Sequence, residues 1–363
     1  MNSESEKYTN LGYFHLARGL GMVLILLGHS ISPFFPPQEA AQAQELFSGA
    51  GSVLGGGIMA MFFMISGFGF YCRSPRKTLA TQTKLLLKPY WITAAAILLT
   101  KLLLALVKQR PFARHGAVYV LTYLLGLNAE GGGTLAGIPI ESVSIFWFIL
   151  ALFGGWMICN GIYRIKSGMM RLLLTLGSVL LSFCLCLISR IWPFCLPMML
   201  LSAGYLAAGY EMKCHQLLDR RLPVWFWCII AAVTLISMAF GRINIVACHW
   251  GLGLQDVAAT FSTGFLLMQL YHRISGFGGN NPIRLLLEAV GYHSLWIVFL
   301  HGYEKVIFPW HRLQYIFPDS PALCVAVCFL GRCLIIGLLI RLISTVKRKL
   351  RRKRSRRTII IEP

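Results

Sequence analysis

Three side chains in the first apolar run, residues 11–35 (LGYFHLARGLGMVLILLGHSISPFF), are of types that do chemistry: His15, Arg18 and His29. An imidazole titrates near neutrality, at about 6.5 when unperturbed, and so accepts or gives up a proton under ordinary conditions. A guanidinium presents a fork of N–H donors to anionic oxygens. Ten residues separate Arg18 from His29. On a helix of about 100° and about 1.5 Å per residue, the two project from one face about 16 Å apart, with His15 one turn below Arg18 on nearly the same face. A charge inside a membrane span costs at least about 2.5–3.5 kcal/mol by insertion scales, so such residues usually face a protein interior or a wet cavity. The stripe is therefore a candidate site. Two structural alternatives stand beside it: Arg18 snorkelling to the inner headgroups, and His29 capping a neighbouring helix end.

The elements that must hold this stripe follow from composition. The 363 residues are 56% hydrophobic and only 13% charged, with a mean hydropathy of +0.66. Soluble domains carry about 25% charged residues, so an all-α polytopic membrane bundle is expected in place of a soluble core. Apolar runs predict ten spans, at 11–35, 53–71, 89–107, 143–163, 170–189, 192–210, 224–240, 254–271, 290–309 and 321–343. The segment 108–142 does not span; its middle, AVYVLTYLLGL, is too short to cross and is expected to be re-entrant or interfacial. No small-residue cleavage site follows the first run, which is expected to be retained.

The net charge of +21 raises a nucleic-acid reading, and its distribution opposes it. Ten Lys and Arg fall within residues 341–357, directly after an apolar run. Such a juxtamembrane cluster is expected to sit on anionic lipid headgroups. The division is thus a transmembrane domain over 1–345 and a basic cytoplasmic tail over 346–363. With the N-terminus inside, short inner loops collect thirteen Lys and Arg against seven outside, which places both termini in the cytoplasm of a multi-pass cell-membrane protein. The eleven cysteines have no zinc spacing; buried free thiols are expected, and no metal.

Five short motifs in order resemble one family. They are Arg18 and His29 in the first run; Phe62-Phe63-Met64-Ile65-Ser66-Gly67-Phe68 closing the second; Lys84 to Lys88-Pro89-Tyr90-Trp91 before the third; Phe146-Trp147-Phe148 through Phe153; and Gly291-Tyr292-His293-Ser294-Leu295 through His301. The chain resembles the integral-membrane acyltransferase family 3, in particular its sugar O-acetyltransferase branch. One position departs: the family usually has an acidic residue three before the first-span arginine, and His15 stands there.

The resemblance implies transfer of an acyl group, acetyl by analogy, from acyl-CoA to a hydroxyl of a sugar or envelope polysaccharide. That reaction needs a base for the hydroxyl proton and a donor for the developing oxyanion. His29 is expected to be the base. His301 lies at a level where it can meet His29 across the bundle, and Glu304, three residues on, can orient an imidazole; a packing hydrogen bond is the alternative for His301. Arg18, with His15, Ser66 and Arg73, is expected on the acyl-CoA side. Ser66 is either a nucleophile or a close-packing point between helices. Trp147 either stacks on a sugar or sits in an interfacial belt, and Asn244 and His249 either bind sugar hydroxyls or make a turn. Lys101, Arg332 and Asp256 are further charges in spans that pair structurally. Two other functions remain open: a saccharide transporter or flippase, which inverted repeats would favour, and a family member that has lost catalysis.

Overall fold

Inside a bilayer every backbone polar group must be satisfied within the chain, so long apolar runs form helices. The computed structural model describes residues 12–34, 43–109, 113–128, 133–135, 138–140, 142–275 and 281–359, and it is 80% helical. The helices are α1 (Gly12–Ile31), α2 (Ala43–Phe68), α3 (Pro75–Gln82), α4 (Lys88–Val107), α5 (Ala113–Leu125), α6 (Trp147–Ile162), α7 (Gly168–Ile188), α8 (Leu196–Cys214), α9 (Val224–Phe240), α10 (Leu254–Ile274), α11 (Pro282–Tyr292), α12 (Ser294–Ile307), α13 (Leu313–Ile316) and α14 (Pro321–Ile359). Two small antiparallel hairpins accompany them, β1 (Gly133–Leu135) with β2 (Ile138–Ile140), and β3 (Ile243–Asn244) with β4 (His249–Trp250). The protein is an all-α, multi-pass membrane bundle.

Among the described residues, seven helices are long and apolar enough to cross a membrane, or eight with the bent pair α11–α12 taken as one span. Of the ten expected spans, the other two positions hold α9, a 17-residue apolar helix, and α10. α10 has the length, 21 residues, but buries Asp256, Thr260, Thr263 and Gln269. The expected span at 290–309 is not one straight helix: the chain bends by 74° between Tyr292 and Ser294. The third span is longer than expected. It starts at Pro75 and includes a π-turn at Thr83–Leu87, where the Lys88 N–H reaches back to Thr83 O. Pro89 has no N–H to continue the ordinary ladder, and a widened turn just before it absorbs the loss. The middle of segment 108–142 forms α5, 13 residues long and too short to span. α14 runs through the 345/346 boundary; the tail side chains expected to meet anionic lipid lie outside the described residues.

Burial sorts the helices into two tiers. The windows of α6, α2 and α8 are 72%, 67% and 61% buried, whereas the α3–α4 unit, α7 and α14 reach only 17–22% and form the lipid-facing shell. Glycines let the inner helices touch backbone to backbone. A Cβ on Gly67 of α2 would stand 2.0 Å from Leu206 O of α8, and one on Gly209 of α8 would stand 2.0 Å from Met64 O of α2. In membranes, where lipid is as apolar as leucine, such close packing is a main source of helix association. Gly67→Ala is accordingly expected to destabilise the fold by about 1–3 kcal/mol, the usual range for overpacking. Detergent-solubilised protein should lose its monodisperse peak at a lower temperature than wild type.

Candidate functional site

α1 and α2 run antiparallel. Gly21 meets Phe62 and Phe14 meets Phe68 edge to face at 4.9 Å, which puts Arg18 near the level of Ile65. His29, in the last turn of α1, reaches a cavity of about 60 Å³ bounded by Met22 and Ile25 of α1, Met59 and Phe62 of α2, Trp147 and Phe148 of α6, and Val298 and His301 of α12. Four helices therefore supply its walls.

Two imidazoles share this cavity. The rings of His29 and His301 lie 5.3 Å apart, centroid to centroid, tilted by 42°. His301 is fixed from behind. Its Nδ1 lies 3.0 Å from Glu304 Oε2, and both side chains are 1% exposed. With Glu304 as carboxylate, which only accepts, the contact assigns the hydrogen to Nδ1 and leaves Nε2 its lone pair. Nε2 is buried without a hydrogen-bond partner among the described residues. Glu304 is itself held: Trp310 Nε1 donates to Oε1, and Arg332 Nε of α14 stands 3.5 Å from the same oxygen. Arg332 also donates from Nε to Cys328 Sγ at 3.2 Å, and its guanidinium lies 5.6 Å over the Trp310 ring.

The structure thus brings His29, His301, Glu304 and Trp147 together. Trp147, 5% exposed, packs against Phe63 and Phe148 and closes one side of the cavity. Trp310 and Arg332 join the group from outside the expected set. Trp310 carries no mark in the sequence, whereas an arginine in the middle of the 321–343 run is itself a signal of a functional partner.

The remaining candidates sit elsewhere. Arg18 lies eleven residues below His29 on the same helix, about 16 Å away, and no ion pair among the described residues involves it. His15 turns toward α11, where its ring meets Tyr292 edge-on at 5.6 Å. α1 and α11 are in backbone contact there, since a Cβ on Gly291 would stand 1.7 Å from His15 O. Ser66, half-buried, lies one turn beyond Phe62 and beside Gly67, outside the cavity wall.

Arg73, just past α2, gives its backbone N–H to Asn160 Oδ1 (2.9 Å) and stacks its guanidinium on Tyr71 at 3.8 Å. Nearby, Tyr163 donates to Glu211 Oε1 at 2.6 Å, and burial together with this bond raises the phenol above its ordinary range. Asn244 and His249 face each other across the β3–β4 hairpin, both exposed and away from the cavity. The Asn244 Oδ1 accepts from Ala247 N at 3.0 Å, an Asx turn within the loop.

A family model described as an acyltransferase domain matches residues 11–342. No curated protein and no solved structure matches the chain.

Proposed function

With the chain belonging to the acyltransferase 3 family, and so being a membrane acyltransferase, we propose that it moves an acetyl group from acetyl-CoA to a hydroxyl of a sugar or cell-envelope polysaccharide. The observation that supports this most is the pairing of two imidazoles across one small cavity, one of them anchored on a buried carboxylate. In this reading His29 accepts the proton of the acceptor hydroxyl as its oxygen attacks the thioester carbonyl. The carbon–sulfur bond breaks, and the proton passes to the departing thiolate, giving ester and free CoA. His301 offers a lone pair at Nε2 to the imidazolium formed on His29, and Glu304 behind it balances the charge, the logic of an oriented acid–base pair.

Arg18, nearer the cytoplasmic end under the orientation with both termini inside, takes phosphate or carbonyl oxygens of the donor. His15, Ser66 and Arg73 border the same half of the bundle, and Trp147 stacks on the acceptor ring. Asn244 and His249, on the outer hairpin away from the cavity, contact hydroxyls of a polymeric acceptor beyond the unit that reacts. The direct test compares envelope glycans from cells with and without the gene by mass spectrometry, and assays free-thiol release from acetyl-CoA by purified protein. An acetyl increment on glycan that depends on the gene supports the reading; identical glycans and no thiol release reject it.

The basic tail has a separate task, attraction to anionic lipid and orientation of the last span. Removing the residues after Thr345 is expected to leave turnover in detergent within about twofold of wild type, since interactions far from a site usually add independently. Loss of turnover in a folded truncated protein would place the tail in the chemistry.

A further inference from the structure

Four charged or polar side chains meet behind the cavity, and only His301 borders it. Glu304 and Arg332 are each 1% exposed, and Trp310 closes the group by donating to the carboxylate. Glu304 contacts His301 on its own helix, Trp310 in the following turn and Arg332 on α14, whose Nε also reaches Cys328; Lys305 is its neighbour in the chain. The cation and the indole N–H beside Oε1 favour the acceptor-only form of the Glu304 carboxyl. A protonated Glu304 would donate its O–H to His301 Nδ1, and the imidazole would then carry its hydrogen on Nε2, facing the cavity. The lone pair offered to His29 would be gone.

Resting on the acyl-transfer reading above, we propose that Arg332 is a positioning residue: acting through Glu304, it holds His301 in the tautomer whose bare Nε2 faces His29. It touches neither donor nor acceptor. Trp310 assists by fixing the second carboxylate lone pair. The route is a chain of named contacts, Arg332 Nε to Glu304 Oε1 at 3.5 Å and Glu304 Oε2 to His301 Nδ1 at 3.0 Å. Such outer contacts set which imidazole nitrogen carries the hydrogen.

The test uses the purified full chain, acetyl-CoA as donor and the glycan that gains acetyl groups as acceptor. Arg332→Met is expected to lower kcat by about tenfold or more, short of the about 10²–10⁴-fold lost with a base itself, while KM for acetyl-CoA stays within about twofold. Arg332→Lys restores most of kcat, because the cation is back beside Glu304. In a Glu304→Gln background, Arg332→Met adds less than about twofold, since its only route is already cut; that double variant holds no unpaired buried charge and folds where the single one fails. Nitrogen-15 spectra of labelled histidine, with His301 assigned by its absence in His301→Gln, show a bare Nε2 in wild type and a protonated Nε2 in Arg332→Met.

Wild-type kcat in Arg332→Met, losses that multiply in the double variant, a Lys variant no better than Met, or an unchanged His301 tautomer would each overturn the proposal. A wild-type protein that transfers nothing rejects the acyl-transfer reading instead, and the nitrogen spectra still judge the positioning role.

Discussion

His29→Ala should abolish acyl transfer while the protein still binds acetyl-CoA with wild-type affinity. The base acts on the acceptor's proton, and the donor's anionic groups are expected about 16 Å lower on the same helix. Removing a general base typically costs about 10²–10⁴-fold in rate. Single-turnover acetyl transfer and donor affinity, measured on the same purified variant, separate the two effects. The neighbouring imidazole adds a second arm to the test: His301 holds Nδ1 on Glu304 and keeps Nε2 bare, so any turnover left in His29→Ala that vanishes in His29→Ala/His301→Gln is carried by His301. His29→Gln, which keeps volume and a hydrogen-bonding end but cannot carry a proton at neutral pH, should be as inactive as His29→Ala. Normal turnover in either variant would remove the catalytic assignment and leave a transport role for the stripe.

Arg18→Ala should show the opposite signature, a weak donor complex with a smaller effect on the chemical step once the donor is saturating. A hydrogen bond to a charged group contributes about 1.5–3 kcal/mol, which is about 10–100-fold in dissociation constant. Arg18→Lys keeps the charge and loses the fork, so it should recover affinity only in part. The replacement of the family's usual acidic residue by His15 bears on this. His15 turns to Tyr292, and no carboxylate among the described residues pairs with Arg18, so none of those residues competes with a donor phosphate for the guanidinium. Titration of each variant with acetyl-CoA by calorimetry checks the assignment. Equal affinity losses in Arg18→Ala and His29→Ala would mean that the stripe is one structural unit.

The helical class and the polar stripe are legible in the sequence because both are local: apolar run length gives the spans, and a period of about 3.6 residues puts Arg18 and His29 on one face. Glu304 behind His301 is legible for the same reason, being three residues away. What joins those pieces is not local. The 74° break after Tyr292 arises where Gly291 lies on the His15 carbonyl, a contact between segments more than 270 residues apart in the chain. Arg332 and Trp310 converge on Glu304 from two further segments, and a sequence pattern shows the buried charge without showing its partner. α9 and α10 illustrate a different limit. Their hydropathy reports transfer into lipid, whereas α10 is solvated by protein: Tyr205 meets Thr260 at 2.6 Å, the Leu252 N–H meets Asp256 at 2.9 Å, and Gln269 gives its amide to Leu217 O at 2.7 Å.

That solvation sets an order of events during synthesis. α10 carries Asp256 in its first turn and buries two threonines and a glutamine, polar groups that lipid would leave without partners, so it is a poor candidate to partition into lipid alone as it leaves the ribosome. Its partners are nonetheless already made. Gly57 and Ala60 of α2, Tyr205 of α8 and Val233 of α9, against which α10 packs or hydrogen-bonds, all precede it in the chain. α10 can therefore slide from the translocon directly onto a waiting protein surface, and the half-helix carrying His301 is threaded only after that platform is complete.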